Sequence, residues 1–210
     1  MDHQECRGAF RNRAPLILAS ASPRRRRLLA SLGLEFQVVT SSAEELTQDS
    51  GLAPEELSVE NARLKASEVA AANPGHFILG ADTIVVLGSQ VLGKPRDEAH
   101  AVSMLESLMG RWHRVITGCA ILEPGSMQWS LFFVESRVFI ARVSRDLIAA
   151  YCRSGEPLDK AGGYAVQGAG AFMVKEIEGS WTNVVGLPLY EVVSRFQELG
   201  VIEPCLDAGN

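Results

Sequence analysis

The chain has 210 residues, enough for one substantial domain at roughly 100–200 residues per domain. Its composition, 47% hydrophobic and 21% charged, excludes a disordered tract, a collagen-like repeat and a disulfide-stapled miniprotein. A net charge of −5 at pH 7 repels polyanions, so any anion site has to be local and general nucleic-acid coating is not expected.

Leu16 to Ala19 is a short apolar run that leads through Ser-Pro into a helical pattern with Leu28, Leu29 and Leu32 on one face, closed by Gly33. Phe36 to Val39 reads as a second strand, Thr40 to Ala53 as a polar loop, and Pro54 opens an alanine-rich helix to about Ala72. Phe77 to Leu87 is β-branched and apolar except at Asp82 and Thr83, and Gly88-Ser89 predicts a hairpin into Gln90 to Leu92. Asp97 starts a helix whose Ala101, Met104, Leu105 and Leu108 share one buried face. Two long antiparallel strands, Trp112 to Leu122 and Gln128 to Val143, flank the turn Glu123-Pro124-Gly125-Ser126. Ser144 then caps a helix through Cys152. Gly155 to Gly170 is too rich in glycine and charge for a core element, Ala171 to Ile177 reads as a strand, and Leu189 to Leu199 as an amphipathic helix. With no repeat and no low-complexity linker, the expectation is one mixed α/β domain folded as two lobes around a cleft.

The cysteines Cys6, Cys119, Cys152 and Cys205 form no C-x-x-C pair, and the histidines His3, His76, His100 and His113 show no metal-ligand spacing. Reduced thiols in a cytoplasmic protein are expected. Met1 to Arg13 has no apolar signal core, and no window approaches the ~18 apolar residues of a membrane helix, so neither secretion nor a membrane span is expected.

Chemistry concentrates in three places. Ser20-Ala21-Ser22-Pro23-Arg24-Arg25-Arg26-Arg27 lies where a strand turns into a helix, and free amides, hydroxyls and guanidinium forks there suit a multiply charged anion. Arg24 and Arg25 fall beside the turn, and Arg26 or Arg27 faces solvent; a Ser-capped helix with a solvated basic face explains the same residues. Asp82 sits mid-strand, where an unpaired carboxylate would be costly. A divalent cation or a lysine would compensate it, with Glu44, Glu45, Lys65 and Lys94 as candidate neighbours, and a purely structural ion pair is the competing explanation. Glu156 to Gly168 is a polar, glycine-rich loop in which Asp159 and Lys160 either join such a site or pair with each other, while Gln167 offers both donor and acceptor to a base edge.

Two motif matches fail on inspection. Gly88 to Lys94 imitates half of a P-loop, but Pro95 replaces the hydroxyl residue and a hairpin surrounds it. Gly168-Ala169-Gly170 has Met173 where a dinucleotide fingerprint requires glycine. Nothing marks a serine or cysteine nucleophile.

Taken together, Ser20-Ala21-Ser22-Pro23-Arg24-Arg25, Gly80-Ala81-Asp82-Thr83, Gly93-Lys94-Pro95 and Glu156 to Tyr164 resemble, in order and spacing, the Maf family of nucleoside triphosphate pyrophosphatases. The resemblance covers about Leu16 to Leu199. It implies an elongated fold similar to that of inosine triphosphatases, commonly homodimeric, here as a domain over 15–203 between tails at 1–14 and 204–210. It further implies cleavage of a nucleoside triphosphate to monophosphate and pyrophosphate with a divalent cation, Mg²⁺ or Mn²⁺. Ser20, Arg24, Arg25, Lys65 and Lys94 match phosphate-binding positions; Glu45 and Asp82 match metal-holding ones, with Asp82 as general base. Arg24, Thr83 and Gln167 resemble the branch acting on dTTP, UTP and modified pyrimidine triphosphates, whereas the 7-methyl-GTP branch has a tryptophan after Ser-Pro. Ala165, in place of a usual glycine, and the extra Arg26 and Arg27 depart from the pattern. The family is also associated with arrest of cell division, which makes a non-enzymatic nucleotide-binding regulator the rival class.

Overall fold

The computed structural model describes residues 8–126 and 128–206. His3, Cys6 and the last residues of the expected tails lie outside these.

Short apolar runs and long alternating ones are gathered into one mixed sheet. Its strands are β2 (Leu16–Ala19), β3 (Gln37–Val38), β4 (Phe77–Leu87), β5 (Gln90–Leu92), β6 (Trp112–Leu122), β7 (Trp129–Ile140) and β8 (Val174–Glu178). The order is β3-β2-β4-β6-β7-β8, with β5 on the free edge of β4. β2 runs parallel to β3 and β4, and the remaining pairs are antiparallel. A separate ribbon pairs β1 (Phe10–Asn12) with β9 (Ile202–Pro204), one strand close to each expected domain boundary. The helices are α1 (Pro23–Ala30), α2 (Pro54–Ala71), α3 (Glu98–Leu108), α4 (Arg145–Arg153), α5 (Trp181–Val185) and α6 (Leu189–Glu198).

One sheet face is covered by α2, where Ile17, Ala19, Ile78, Ala66 and Val69 form a core. On the other face the apolar packing divides in two. One cluster joins Leu28 and Leu29 of α1, Leu79 and Ala81 of β4 and Phe196 of α6. The second joins Leu105 and Leu108 of α3, Ile148 of α4, Val85 of β4 and Val138 of β7. Thr83, Thr117 and Asn183 lie between them as a polar seam, so the two lobes expected from sequence correspond to two apolar clusters.

The same seam marks a gap in the sheet. β2 pairs with β4 only as far as Ala19 opposite Gly80, and β5 joins the same edge only from Leu92 opposite Val85. From Ala81 to Ile84, β4 therefore has a neighbour on the β6 side alone. Because strand side chains alternate, Asp82 points to the α2 face and Thr83 to the seam, and a ligand in the gap reaches both.

Several sequence expectations are corrected. Ala171 to Met173 belongs to a 3-10 turn over Ala169–Met173, and the strand begins only at Val174. The loop after Gly155 is not peripheral: Tyr164, Ala165 and Lys160 are buried, and 3-10 turns cover Glu156–Asp159 and Ala161–Gly163. The strands expected over 36–39 and 128–143 are shorter, ending at Val38 and Ile140. Cys119 and Cys152 are free and buried, but Cys205 is disulfide-bonded, against the expectation of reduced thiols throughout. No helix among the described residues is long and apolar enough to cross a membrane.

Two glycines let α2 lie unusually close to the sheet. A Cβ on Gly80 would run into the carbonyl of Ala62, and one on Gly118 into the backbone of Ser58. Neither obstacle is a movable side-chain end, so a Gly118→Ala variant has to lift α2 from the sheet. We expect a loss of about 1–3 kcal/mol, typical of overpacking, seen as a lower urea midpoint at unchanged slope.

Candidate active site

A cavity of about 770 Å³ opens at the gap in the sheet, within the size range of small-ligand pockets. Ser20, Arg24, Arg25, Glu45, Lys65, Asp82, Thr83, Lys94, Asp159, Lys160 and Gln167 all line it. Glu44 does not: it is exposed and outside the cavity.

The strand-to-helix turn forms one wall. Ser22 caps α1 by accepting from the amide of Arg25, and Pro23 occupies the first turn, where its missing N–H leaves no bond unmade. Arg26 and Arg27 face solvent, whereas Arg25 turns inward and is buried. Its Nε donates to the Gly186 carbonyl at 2.7 Å, Nη2 to the Thr83 hydroxyl at 2.9 Å and Nη1 to Ser20 Oγ at 3.4 Å. All of these acceptors are neutral, and no carboxylate pairs with Arg25 among the described residues. Burial pushes its guanidinium below the usual arginine value while the charge of Asp82 pulls the other way. Arg24 is held across the cleft by Asp159 at 3.6 Å.

The opposite wall is α2. Lys65 Nζ lies 2.6 Å from Asp82 Oδ1 and 2.7 Å from Glu45 Oε1. Asn61, one turn before Lys65, donates to Asp82 Oδ2 at 3.3 Å while its own amide exchanges bonds with the backbone of Leu46. Asn61 thus ties the Glu45 loop to the strand carboxylate. Sequence reasoning missed it, although its i, i+4 spacing from Lys65 on a helix was a usable signal.

The residues fit a hard divalent cation. Asp82 and Glu45 converge on one cationic point, now the Lys65 ammonium, and supply oxygen donors only. No cluster of three or more His, Cys, Asp or Glu side chains suited to a metal occurs among the described residues, so substrate oxygens would complete the shell.

Lys94 and Gln167 are exposed at the cavity rim, and neither side chain makes a hydrogen bond or ion pair among the described residues. Lys160 pairs with Asp159 and donates to the Glu156 carbonyl at 2.7 Å, so the local pairing foreseen for these loop residues is present inside the cavity. Ala165 is buried in the cavity wall.

Residues 15–199 match the Maf-like protein family, and the chain belongs to it. It is 47% identical over 188 residues to the dTTP/UTP pyrophosphatase of Geotalea uraniireducens (strain Rf4), covering 90% of this chain and 96% of that protein. It is 48% identical to the dTTP/UTP pyrophosphatase of Myxococcus xanthus (strain DK1622), covering 90% and 94% of the two chains. A solved nucleoside-triphosphatase / dITP/XTP pyrophosphatase from Mycobacterium abscessus aligns with 88% of this chain and 96% of its own at 15% identity and a TM-score of 0.41, too distant to assign a fold by.

Tyr164, on the cavity wall, is steadied from behind by His113, whose Nε2 lies 2.7 Å from the phenol oxygen. The ring is buried, its Nδ1 has no partner among the described residues, and burial lowers its pKa from 6.5 to about 4. Above pH 6.5 the ring is neutral in both states. Between 6.5 and about 4 only the unfolded chain takes up the proton, so stability falls as pH drops through that window, by about 3 kcal/mol in all. Urea unfolding at pH 7 and pH 4.5 checks this: His113→Gln should lose less stability between the two than the parent.

Proposed function

We propose that this protein hydrolyses dTTP and UTP between the α- and β-phosphates, releasing monophosphate and pyrophosphate. The observation that carries the reading is Arg25: a buried guanidinium in a nucleotide-sized cavity, bonded among the described residues only to neutral acceptors. A polyphosphate supplies the anion it lacks. The names of relatives at 47–48% identity over about nine-tenths of the chain support the chemistry and the pyrimidine preference.

In this reading Ser20, Arg24, Arg25, Lys94 and the first amides of α1 hold the triphosphate, with Thr83 and Gln167 facing the base. Asp82, fixed by Lys65 and Asn61, takes the proton of the attacking water as its oxygen bonds to the α-phosphorus. The bridging P–O bond breaks, and pyrophosphate leaves with its charge offset by the surrounding cations. Mg²⁺ or Mn²⁺ bound by Asp82, Glu45 and phosphate oxygens would supply further charge neutralisation and a more acidic water. The unit responsible is the 15–203 domain, within which the family match falls. A homodimer is what the resemblance to the family implies, and the charge of −5 supports the absence of stable nucleic-acid binding.

Product analysis with dTTP, UTP, 5-methyl-UTP, CTP, GTP and 7-methyl-GTP tests the proposal, using Mg²⁺ or Mn²⁺ and separating pyrophosphate from orthophosphate. Pyrophosphate from dTTP and UTP is expected. Release from 7-methyl-GTP alone would overturn the specificity, and no turnover at all would favour a binding regulator. Asp82→Asn should abolish turnover, by at least about 10²-fold for loss of a general base, with the circular dichroism spectrum retained. Lys94→Ala should raise KM for the triphosphate several-fold with little change in stability, since the exposed ammonium has no partner to lose among the described residues.

A further inference from the structure

A file of hydroxyls runs back from the cavity into the polar seam, and its hydrogen-bond direction can be worked out from proton supply. Thr117, fully buried on β6, lies 3.0 Å from the Asn183 carbonyl, which can only accept. A hydroxyl has one proton and two lone pairs, so the Thr117 proton is committed to that carbonyl. Thr83 Oγ1 lies 2.9 Å from Thr117 Oγ1, and the proton between them therefore belongs to Thr83. Arg25 Nη2, at 2.9 Å, can only donate, and takes one of the two lone pairs of Thr83. One lone pair remains. Thr83 lines the cavity, and its oxygen makes no further hydrogen bond among the described residues.

We infer that Thr117 is a positioning residue for specificity: by taking the only proton of Thr83, it presents Thr83 to the cavity as an acceptor alone, matched to a donor on the pyrimidine. The inference rests on the proposed function and deepens it. Thymine and uracil carry an N3–H donor on the edge where cytosine carries a bare N3 acceptor. An acceptor-only hydroxyl bonds the first and faces the second lone pair to lone pair, which disfavours cytosine without any steric block. A phosphate oxygen would meet the same repulsion, so Thr83 faces the base although its neighbour Arg25 faces phosphate.

The test compares kcat/KM for UTP and CTP in the parent, Thr117→Val and Thr117→Ser. The parent should favour UTP, and Thr117→Val, which frees the Thr83 hydroxyl to rotate and donate, should cut the UTP/CTP ratio by about tenfold. Thr117→Ser keeps the acceptor and should keep the ratio. An equal fall for both nucleotides in Thr117→Val, or the same ratio change in Thr117→Ser, would overturn the inference. The parent supplies a further measurement that needs no variant to fold. 3-Methyl-UTP, which has no N3–H, should be turned over at least about tenfold less efficiently than 5-methyl-UTP, and equal turnover would overturn the acceptor assignment. Failure of the parent to cleave any of these nucleotides would instead overturn the pyrophosphatase reading beneath it.

Discussion

The arrangement of this molecule follows from one carboxylate placed in the middle of a strand. Asp82 is almost completely buried, and a charge there is tolerated only with a cation and hydrogen-bond donors at contact distance. Both come from α2, through Lys65 and Asn61, and they reach Asp82 only because α2 lies closer to the sheet than side chains on the facing strands would allow. Gly80 and Gly118 supply that clearance, one on β4 and one on the neighbouring β6. A packing feature and a chemical feature thus have the same origin.

The second constraint is the interruption in the sheet. Where β2 has ended and β5 has not begun, β4 is flanked on one side only, and its alternation offers two chemistries within one residue. On the α2 face Asp82 and Glu45 form an anionic pair around Lys65. On the seam face Thr83 belongs to a hydroxyl file that ends on a backbone carbonyl. A continuous sheet would have buried these groups from each other on opposite faces.

Much of this was legible in the sequence, and the parts that were not share a cause. The face of α3, the hairpin after Leu87 and the mid-strand carboxylate follow from local periodicity and turn chemistry, and each lies where the pattern puts it. The β1–β9 ribbon pairs residues far apart in sequence through strands too short to show alternation, and α5 is only five residues long. Tyr164 was hidden in a loop whose glycines suggested solvent. Two of those glycines, Gly162 and Gly163, adopt positive φ and so allow the chain to fold back against Val85 and Pro95, making buried wall from a polar segment. Lys65 and Lys94 were equal candidates for the partner of Asp82; only the position of α2 decides between them, because helix-to-strand register is not a local property.

The two inward arginines show how the site separates binding from folding. Arg24 is paired with Asp159, an exposed carboxylate on the far side of the cleft, and an arriving phosphate has to compete with that ion pair. Partly exposed pairs of this kind are worth little, so the competition costs little. Arg25 is held by dipoles instead: the Gly186 carbonyl, the Thr83 hydroxyl and Ser20 fix the guanidinium plane but leave its charge uncancelled. A carboxylate in their place would have steadied the empty protein and then had to be displaced or repelled by substrate. Neutral acceptors give the orientation without that conflict, at the expense of a buried cation whose charge is met only at longer range, chiefly by Asp82. Preorganisation by neutral dipoles is the arrangement that lets one residue be fully ordered before the ligand arrives and still be electrostatically unsatisfied until it does.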